Sequence, residues 1–162
     1  MQNAKDTFYV TLRNRLATLN PNRTMVLRGV QRPGVLVEEA EAVVPMPPAD
    51  VFVLRWTTLG TDVNLPLALA RLECEILYTT GGTQAASGLD RGRALEEMDA
   101  EMLGLLSPNC APKMNYTQTP PVQLNTPVFW TPANFTPAVT LRDRLSRSAK
   151  VTVFAYQEPG EL

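Results

Sequence analysis

The sequence predicts an α+β fold: an antiparallel β-sheet of four to five strands, two main helices packed on one of its faces, and a long Pro-rich arm or loop. Three stretches carry that reading. In the first, Ala68, Ala70, Leu72, Cys74, Ile76 and Tyr78 are interleaved with the polar Arg71, Glu73, Glu75 and Thr79, the period of a strand with one wet face. In the second, Leu95, Met98, Met102 and Leu105 or Leu106 recur at helical spacing within residues 89–106, so one stripe faces a core. In the third, Pro108, Pro112, Pro120, Pro121, Pro127, Pro132 and Pro137 punctuate the chain after Ser107. Proline lacks a backbone donor, so a helix is forbidden there and a central strand broken.

Taken in order, Asp6 caps a first helix over residues 6–19, whose stripe is Phe8, Leu12, Leu16 and Leu19, with Arg13 and Arg15 outside it. Residues 24–30 and 35–44 flank Gln31-Arg32-Pro33-Gly34 as a hairpin, with Pro33-Gly34 in the middle of a type II turn. Pro45-Met46-Pro47-Pro48 closes it. Residues 50–58, rich in β-branched and aromatic side chains, form a third strand, and 60–66 lead into the long strand. These connections are too short for crossover helices, which makes the sheet antiparallel. Gly81 and Gly82 turn the chain toward the second helix, with Gly88 and Asp90 near its start. Residues 107–138 read as an extended arm whose deletion over 112–136 leaves a folding core. Residues 141–147 form a short basic turn. Residues 150–156 form a last strand with Val151, Val153 and Ala155 on one face, and the tail from Gln157 frays.

A chain of 162 residues fits one domain spanning 1–162, with the Pro-rich 107–138 segment inside it. Its 44% apolar content supports a packed core and argues against disorder of the whole chain. Fifteen basic residues against sixteen acidic ones give no global basic excess for non-specific nucleic-acid binding. The chain shows no signal peptide and no apolar run of the ~20 residues that cross a bilayer, so no membrane partner is expected. Two cysteines, Cys74 and Cys110, are too few for a disulfide framework and are not spaced as a metal knuckle. Cys74 belongs to the apolar face of its strand.

The sequence contains no histidine, which removes the usual general base and the commonest metal ligand. A Ser-His-Asp or Cys-His site is impossible. Carboxylates at Glu38, Glu39 and Glu41, or at Glu96, Glu97, Asp99 and Glu101, could be drawn as acid–base or metal clusters, but the second set lies mostly opposite the helix stripe and reads as a solvated face. Thr80-Gly81-Gly82-Thr83 precedes a helix as phosphate loops do, yet lacks the Gly-Lys-Ser/Thr and Gly-x-Gly-x-x-Gly patterns. No enzyme activity, cofactor or metal is expected.

What remains are candidates for contact. Arg28 and Arg32 sit at the hairpin, Arg91 and Arg93 at the start of the second helix, and Arg142, Arg144 and Arg147 near the end. Arginine is enriched at interfaces and pairs bidentately with carboxylates such as Glu96 or Glu101 on a neighbour. The same residues would serve equally as solvated surface or as a patch for DNA phosphate. Trp56 reads as core. Phe129 and Trp130 read as anchors of the arm, set either into their own domain or into an adjacent subunit.

The order of elements, and especially residues 73–83 (ECEILYTTGGT) followed by 88–103 (GLDRGRALEEMDAEML), resembles the tail terminators, small tail-completion proteins of tailed bacteriophages. The likeness covers about residues 5–106 in arrangement. It implies a non-catalytic virion protein assembled in the host cytoplasm, forming a ring, typically a hexamer, at the head-proximal end of the tail tube. Such a ring halts tube growth and offers a surface for head–neck joining. The implied partners are sister copies, the tail tube protein, a head–tail connector or neck protein, and the tail sheath protein if the tail contracts. Nucleic acid enters only as DNA passing through the lumen. A head–tail stopper or adaptor of the neck is the alternative within assembly. A small-ligand-binding regulatory domain using the Gly81-Gly82 loop is the alternative from another class.

Overall fold

The computed structural model describes residues 1–39, 47–108 and 110–161. Two helices, α1 (Gln2–Leu19) and α2 (Arg91–Leu105), accompany ten strands. These are β1 (Thr24–Leu27), β2 (Val30–Pro33), β3 (Val35–Glu38), β4 (Phe52–Asp62), β5 (Leu69–Thr80), β6 (Cys110–Asn115), β7 (Val122–Trp130), β8 (Asn134–Phe135), β9 (Val139–Leu141) and β10 (Arg144–Tyr156). The strands β1 and β2 form a hairpin of their own, and the other eight make one mixed sheet in the order β3-β4-β5-β10-β7-β6, with β8 and β9 also on β10. The fold is α+β, with a larger sheet than four to five strands.

The sheet curls until both of its rims reach α1. On one rim the Tyr9 hydroxyl donates to the Val35 carbonyl at 3.2 Å, and on the other the Met114 amide donates to Thr7 Oγ1 at 2.9 Å. Between those contacts α1 buries Ala4, Phe8, Leu12 and Leu16 completely. Phe8 meets the rings of Trp56 and Trp130 edge-on at 5.8 and 5.2 Å, a geometry that the ring quadrupoles favour. A helix seated this way shields strand edges that would otherwise template further pairing. Along α2, Leu95, Met98, Met102 and Leu105 are buried, and Ala70, Leu72, Cys74, Ile76 and Tyr78 of β5 supply the matching sheet face. Both periodicities therefore name core residues, although Ala68 is only half-buried and Thr79, read as part of the wet face, is buried.

Several expectations need correction. The helix α1 begins at Gln2, so Asp6 lies inside it and accepts from Gln2 Nε2 instead of capping; Leu19, at the C-terminal end, is exposed. The hairpin turns at Arg28-Gly29 and not at Pro33-Gly34: Leu27 pairs with Val30, and both turn residues have positive φ, 52° and 77°. That is the pattern of a two-residue type I′ turn, whose twist matches its strands. Gly34 instead carries the chain into β3, its amide donating to Arg23 and its carbonyl accepting from Phe52. The strand β3 runs parallel to β4, Val35 opposite Phe52. The predicted extension of β3 to residue 44, the Pro45-Met46 stop and Glu41 lie outside the described residues.

The Pro-rich segment is no separable arm. It supplies β6, β7 and β8, and Ala111, Lys113, Val128 and Trp130 are buried. Prolines fit because Pro112 lies on a rim strand, opposite Pro127, so two missing donors share one site. Moreover β7 pairs with β10 only over Val128–Trp130, just past Pro127. Deleting residues 112–136 would thus remove a sheet edge and part of the core. The expected basic turn at 141–147 is a second hairpin, β9 to β10, with Arg142 at φ 57°.

A left-handed conformation costs a non-glycine residue about 1 kcal/mol, less for Asn. Arg28→Asn, which would give the favoured Asn-Gly turn, is expected to raise unfolding stability by about 0.5 to 1 kcal/mol in a urea titration. A measurable loss would contradict the turn geometry.

Candidate assembly surface

Some of the charged groups that looked available for chemistry or for neighbours are engaged inside the fold, among them Asp99, Glu101 and Arg147. Glu101 accepts from Arg23 at 2.5 and 2.9 Å and from Asn20 Nδ2 at 2.8 Å, tying α2 to the exit of α1. It is therefore engaged within its own chain, whereas Glu96 and Glu97 face solvent. Asp99 accepts from the buried Tyr78 hydroxyl at 2.5 Å and pairs with Arg147, which fixes α2 to β5 and β10. Burial, and then the hydrogen bond and charge of Asp99, push the Tyr78 phenol well above its ordinary value. Cys74 is buried and its thiol is likewise pushed up, first by burial and then by Glu75 beside it, so it behaves as a small core residue.

The tail expected to fray from Gln157 is instead tied down over residues 157–161, with Leu162 outside the described residues. Lys113 is 0% exposed, and its ammonium donates to Glu161 at 2.5 Å and to the Tyr156 carbonyl at 2.6 Å, with Glu158 at 3.7 Å. Glu158 in turn accepts from the Thr126 amide and hydroxyl, and the N-terminal ammonium donates to Gln157. No local signal in the sequence marks Lys113, because its carboxylate partner Glu161 lies 48 residues downstream.

The glycine loop closes on itself. Asp90 accepts from the Thr83 amide at 2.8 Å and from its hydroxyl at 2.7 Å, and a Cβ on Gly82 would meet Asp90 Oδ1 at 2.6 Å. A carboxylate thus already occupies the place an incoming phosphate would need, which weighs against the ligand-binding reading. Among the described residues no cluster of three or more His, Cys, Asp or Glu is arranged to hold a metal ion, and no helix is long and apolar enough to cross a membrane.

The remaining candidates sort into two groups. Arg91, Arg142 and Arg144 come together at the β9–β10 turn: Arg91 donates to the Asp143 carbonyl at 2.8 Å, Arg144 donates to the Pro47 carbonyl at 3.2 Å, and Arg142 is exposed at the tip. Arg93 is exposed on the first turn of α2. Arg28 and Arg32 stand apart, on the β1–β2 hairpin, where Val26 is 69% exposed. Trp130, 4% exposed, packs back into its own domain beneath the Arg15 guanidinium and has no surface to offer. Phe129 stacks on Phe154 at 5.4 Å on the opposite, outer face of the sheet.

Sequence patterning gave no sign of how little of β4 the described part of β3 covers. The strand β3 covers β4 only from Phe52 to Arg55, and among the described residues no strand pairs with positions 57–62 on the side away from β5. A register shift between Trp56 and Thr58 keeps Leu59 opposite Leu72, on the helix side of the sheet. A groove of about 680 Å³ runs between α1, β3 and β4, with Tyr9, Leu27, Leu36, Val37, Trp56 and Leu59 as its apolar parts and Lys5, Asp6, Glu38 and Glu39 as its charged ones. No protein-family model matches the chain, and no curated protein matches it significantly.

Proposed function

We propose that this protein is a structural subunit that acts by self-association, forming a ring, in the first instance a hexamer, that caps the head-proximal end of a phage tail tube. The ring stops tube polymerisation and provides the surface for joining the head–neck complex. It works without catalysis or a cofactor, as a virion component assembled in the host cytoplasm. Its partners are sister copies, the tail tube protein, a connector or neck protein, and the sheath protein where the tail contracts; DNA passes through the lumen.

The observation that carries this reading is a set of ion pairs that fasten the fold, together with a stretch of β4, positions 57–62, that no strand among the described residues pairs with on the side away from β5. Ion pairs at Arg23–Glu101, Arg147–Asp99 and Lys113–Glu161 staple the fold, while among the described residues no strand pairs with positions 57–62 of β4 on the side away from β5. An open edge is what native proteins cover unless a partner uses it. The element order supports the same reading, since an N-terminal helix, an antiparallel β4–β5 pair and a second helix precede the final strand, as the resemblance to tail terminators implies.

Mixing the purified protein with growing tail tubes tests the function. A terminator binds one end and arrests elongation, giving shorter tubes in proportion to the protein added. Association with DNA-filled heads in place of tubes would reassign it as a neck stopper or adaptor. Binding to neither would reject both.

A further inference from the structure

The β1–β2 hairpin carries apolar side chains and unspent charge to the surface together. Val26, Val30 and Leu27 are 69%, 52% and 39% exposed, and Arg28 and Arg32 beside them are exposed as well. A two-stranded hairpin is marginal in water by itself, and apolar residues at its tip gain nothing from solvent. The stretch between Asp6 and Glu38 holds five arginines and no acidic residue, so the hairpin cannot neutralise itself. Of these five, Arg15 is held by the Leu105 carbonyl and Arg23 by Glu101. Arg28 and Arg32 have no partner among the described residues.

The outer face of α2 has the complementary chemistry. Glu96, Glu97, Ala100 and Leu103 are exposed at helical spacing, opposite the buried Leu95, Met98 and Met102. Neither Glu96 nor Glu97 has a partner among the described residues, and Arg93, one turn earlier, pairs with neither. Leu103 is 59% exposed, and Leu19, 54% exposed, lies against Gly104, where an added Cβ would meet it at 3.0 Å. The strip thus runs on into a groove of about 550 Å³ lined by Thr18, Leu19 and Gly104. Within one chain the two patches do not meet. The hairpin leaves the fold at Arg23, bonded to Glu101, and its Leu27 lies with Lys5 and Tyr9 of α1, so it runs back along α1 and away from Leu19. Tyr9 and Leu19 are ten residues apart, about 15 Å at 1.5 Å per residue, and among the described residues α1 is the one helix the hairpin touches. We infer that the β1–β2 hairpin of one copy docks on the outer face of α2 in a second copy, with Arg28 and Arg32 on Glu96 and Glu97 and with Val26 and Val30 over Ala100 and Leu103. This contact rests on the ring reading above and specifies its surface. Opposite charge sets the order of copies, and the apolar strip supplies the buried centre. Because the two patches differ, the contact is heterologous, head to tail, and repeats until it closes.

Cross-linking provides the test, made in the full chain with Cys110→Ser to remove the other exposed thiol; Cys74 is buried. One protein carries Gln31→Cys on the hairpin, another Ala100→Cys on α2, and a third carries both; the two positions are exposed. A short bis-maleimide linker is added to each single variant, to their mixture and to the double variant, beside a native mass measurement. The expected result is a cross-linked heterodimer from the mixture, none from either single variant alone, and a ladder beyond the dimer from the double variant. A double variant that stops at the dimer would overturn the head-to-tail order in favour of a reciprocal two-fold contact. Multimers by mass without any cross-link would overturn the surface and leave the ring reading standing. Single chains at every concentration, with no binding to tube ends, would overturn both. In the otherwise unaltered sequence, Arg28→Glu with Arg32→Glu should reduce assembly about tenfold or more, and Glu96→Arg with Glu97→Arg in the same chain should restore it. No restoration would deny the charge match. Unchanged assembly together with lost binding to a DNA duplex would overturn the inference and assign the hairpin to nucleic acid.

Discussion

Phe8→Ala is expected to cost about 3–5 kcal/mol of unfolding stability, the range for deleting a fully buried aromatic side chain. Phe8 is where α1, the β4 side of the sheet and the β7 side meet: its ring touches Trp56 on one flank and Trp130 on the other. Truncation removes apolar burial and both edge-to-face contacts at once, and the cavity it leaves is walled by two indoles held in strands, so the site has little freedom to collapse. Phe8→Leu should cost distinctly less, because it leaves a smaller void. In urea titrations the midpoint should fall with the slope unchanged. A loss below about 1 kcal/mol for Phe8→Ala would show that α1 is not the element that draws the two rims of the sheet together.

Lys113→Met should be comparably severe, about 3–5 kcal/mol, because it strips the partner from a buried carboxylate while preserving most of the stem's volume. Glu161 and the Tyr156 carbonyl would lose their donor at 2.5 and 2.6 Å, and the tail 157–161 should lose hydrogen-exchange protection. Adding Glu161→Gln should recover part of the loss, since the uncompensated charge then disappears. The same site sets the acid limb of stability. Burial raises the pKa values of Glu158 and Glu161, but hydrogen bonds from Thr126 and Asn125 to the first, and from Lys113, the Glu158 amide and Asn3 to the second, outweigh it and hold both below their ordinary 4.5. A carboxyl lowered on folding stabilises fully above that ordinary value and loses its contribution as pH falls through the folded one. The Lys113→Met protein should therefore show a shallower decline in stability below about pH 4.5 than the unaltered chain; identical acid limbs would contradict the clasp.

Much of the fold was legible in the sequence because burial writes a period. The alternation at Ala70 to Tyr78 and the stripe at Leu95, Met98 and Met102 name residues that are all buried. What failed was whatever depends on partners far along the chain. Proline density in 107–138 argued for an arm, since local rules penalise proline in strands. It could not show that Pro112 and Pro127 lie opposite each other at the end of the β10 pairing. The parallel β3–β4 pair was hidden for the same reason: pattern gives strand faces but not strand neighbours. The turn at Arg28-Gly29 carries no local signal in its first residue, because Arg is a poor residue for positive φ, and here it adopts one at 52°. The candidate arginines were visible as residues, but only the fold gathers Arg91, Arg142 and Arg144 at one tip and leaves Arg28 and Arg32 on another. That positions 57–62 of β4 have a strand on one side only among the described residues was illegible from one sequence, because pattern does not say what lies beside a strand.

Native mass of the 17.9 kDa chain, measured across concentration both free and after recovery from the ends of isolated tail tubes, addresses head-to-tail self-association most directly. The expected result is one discrete closed multiple, reached in solution or on the tube end. Single chains in solution, together with single copies at the tube end or none there, would contradict it.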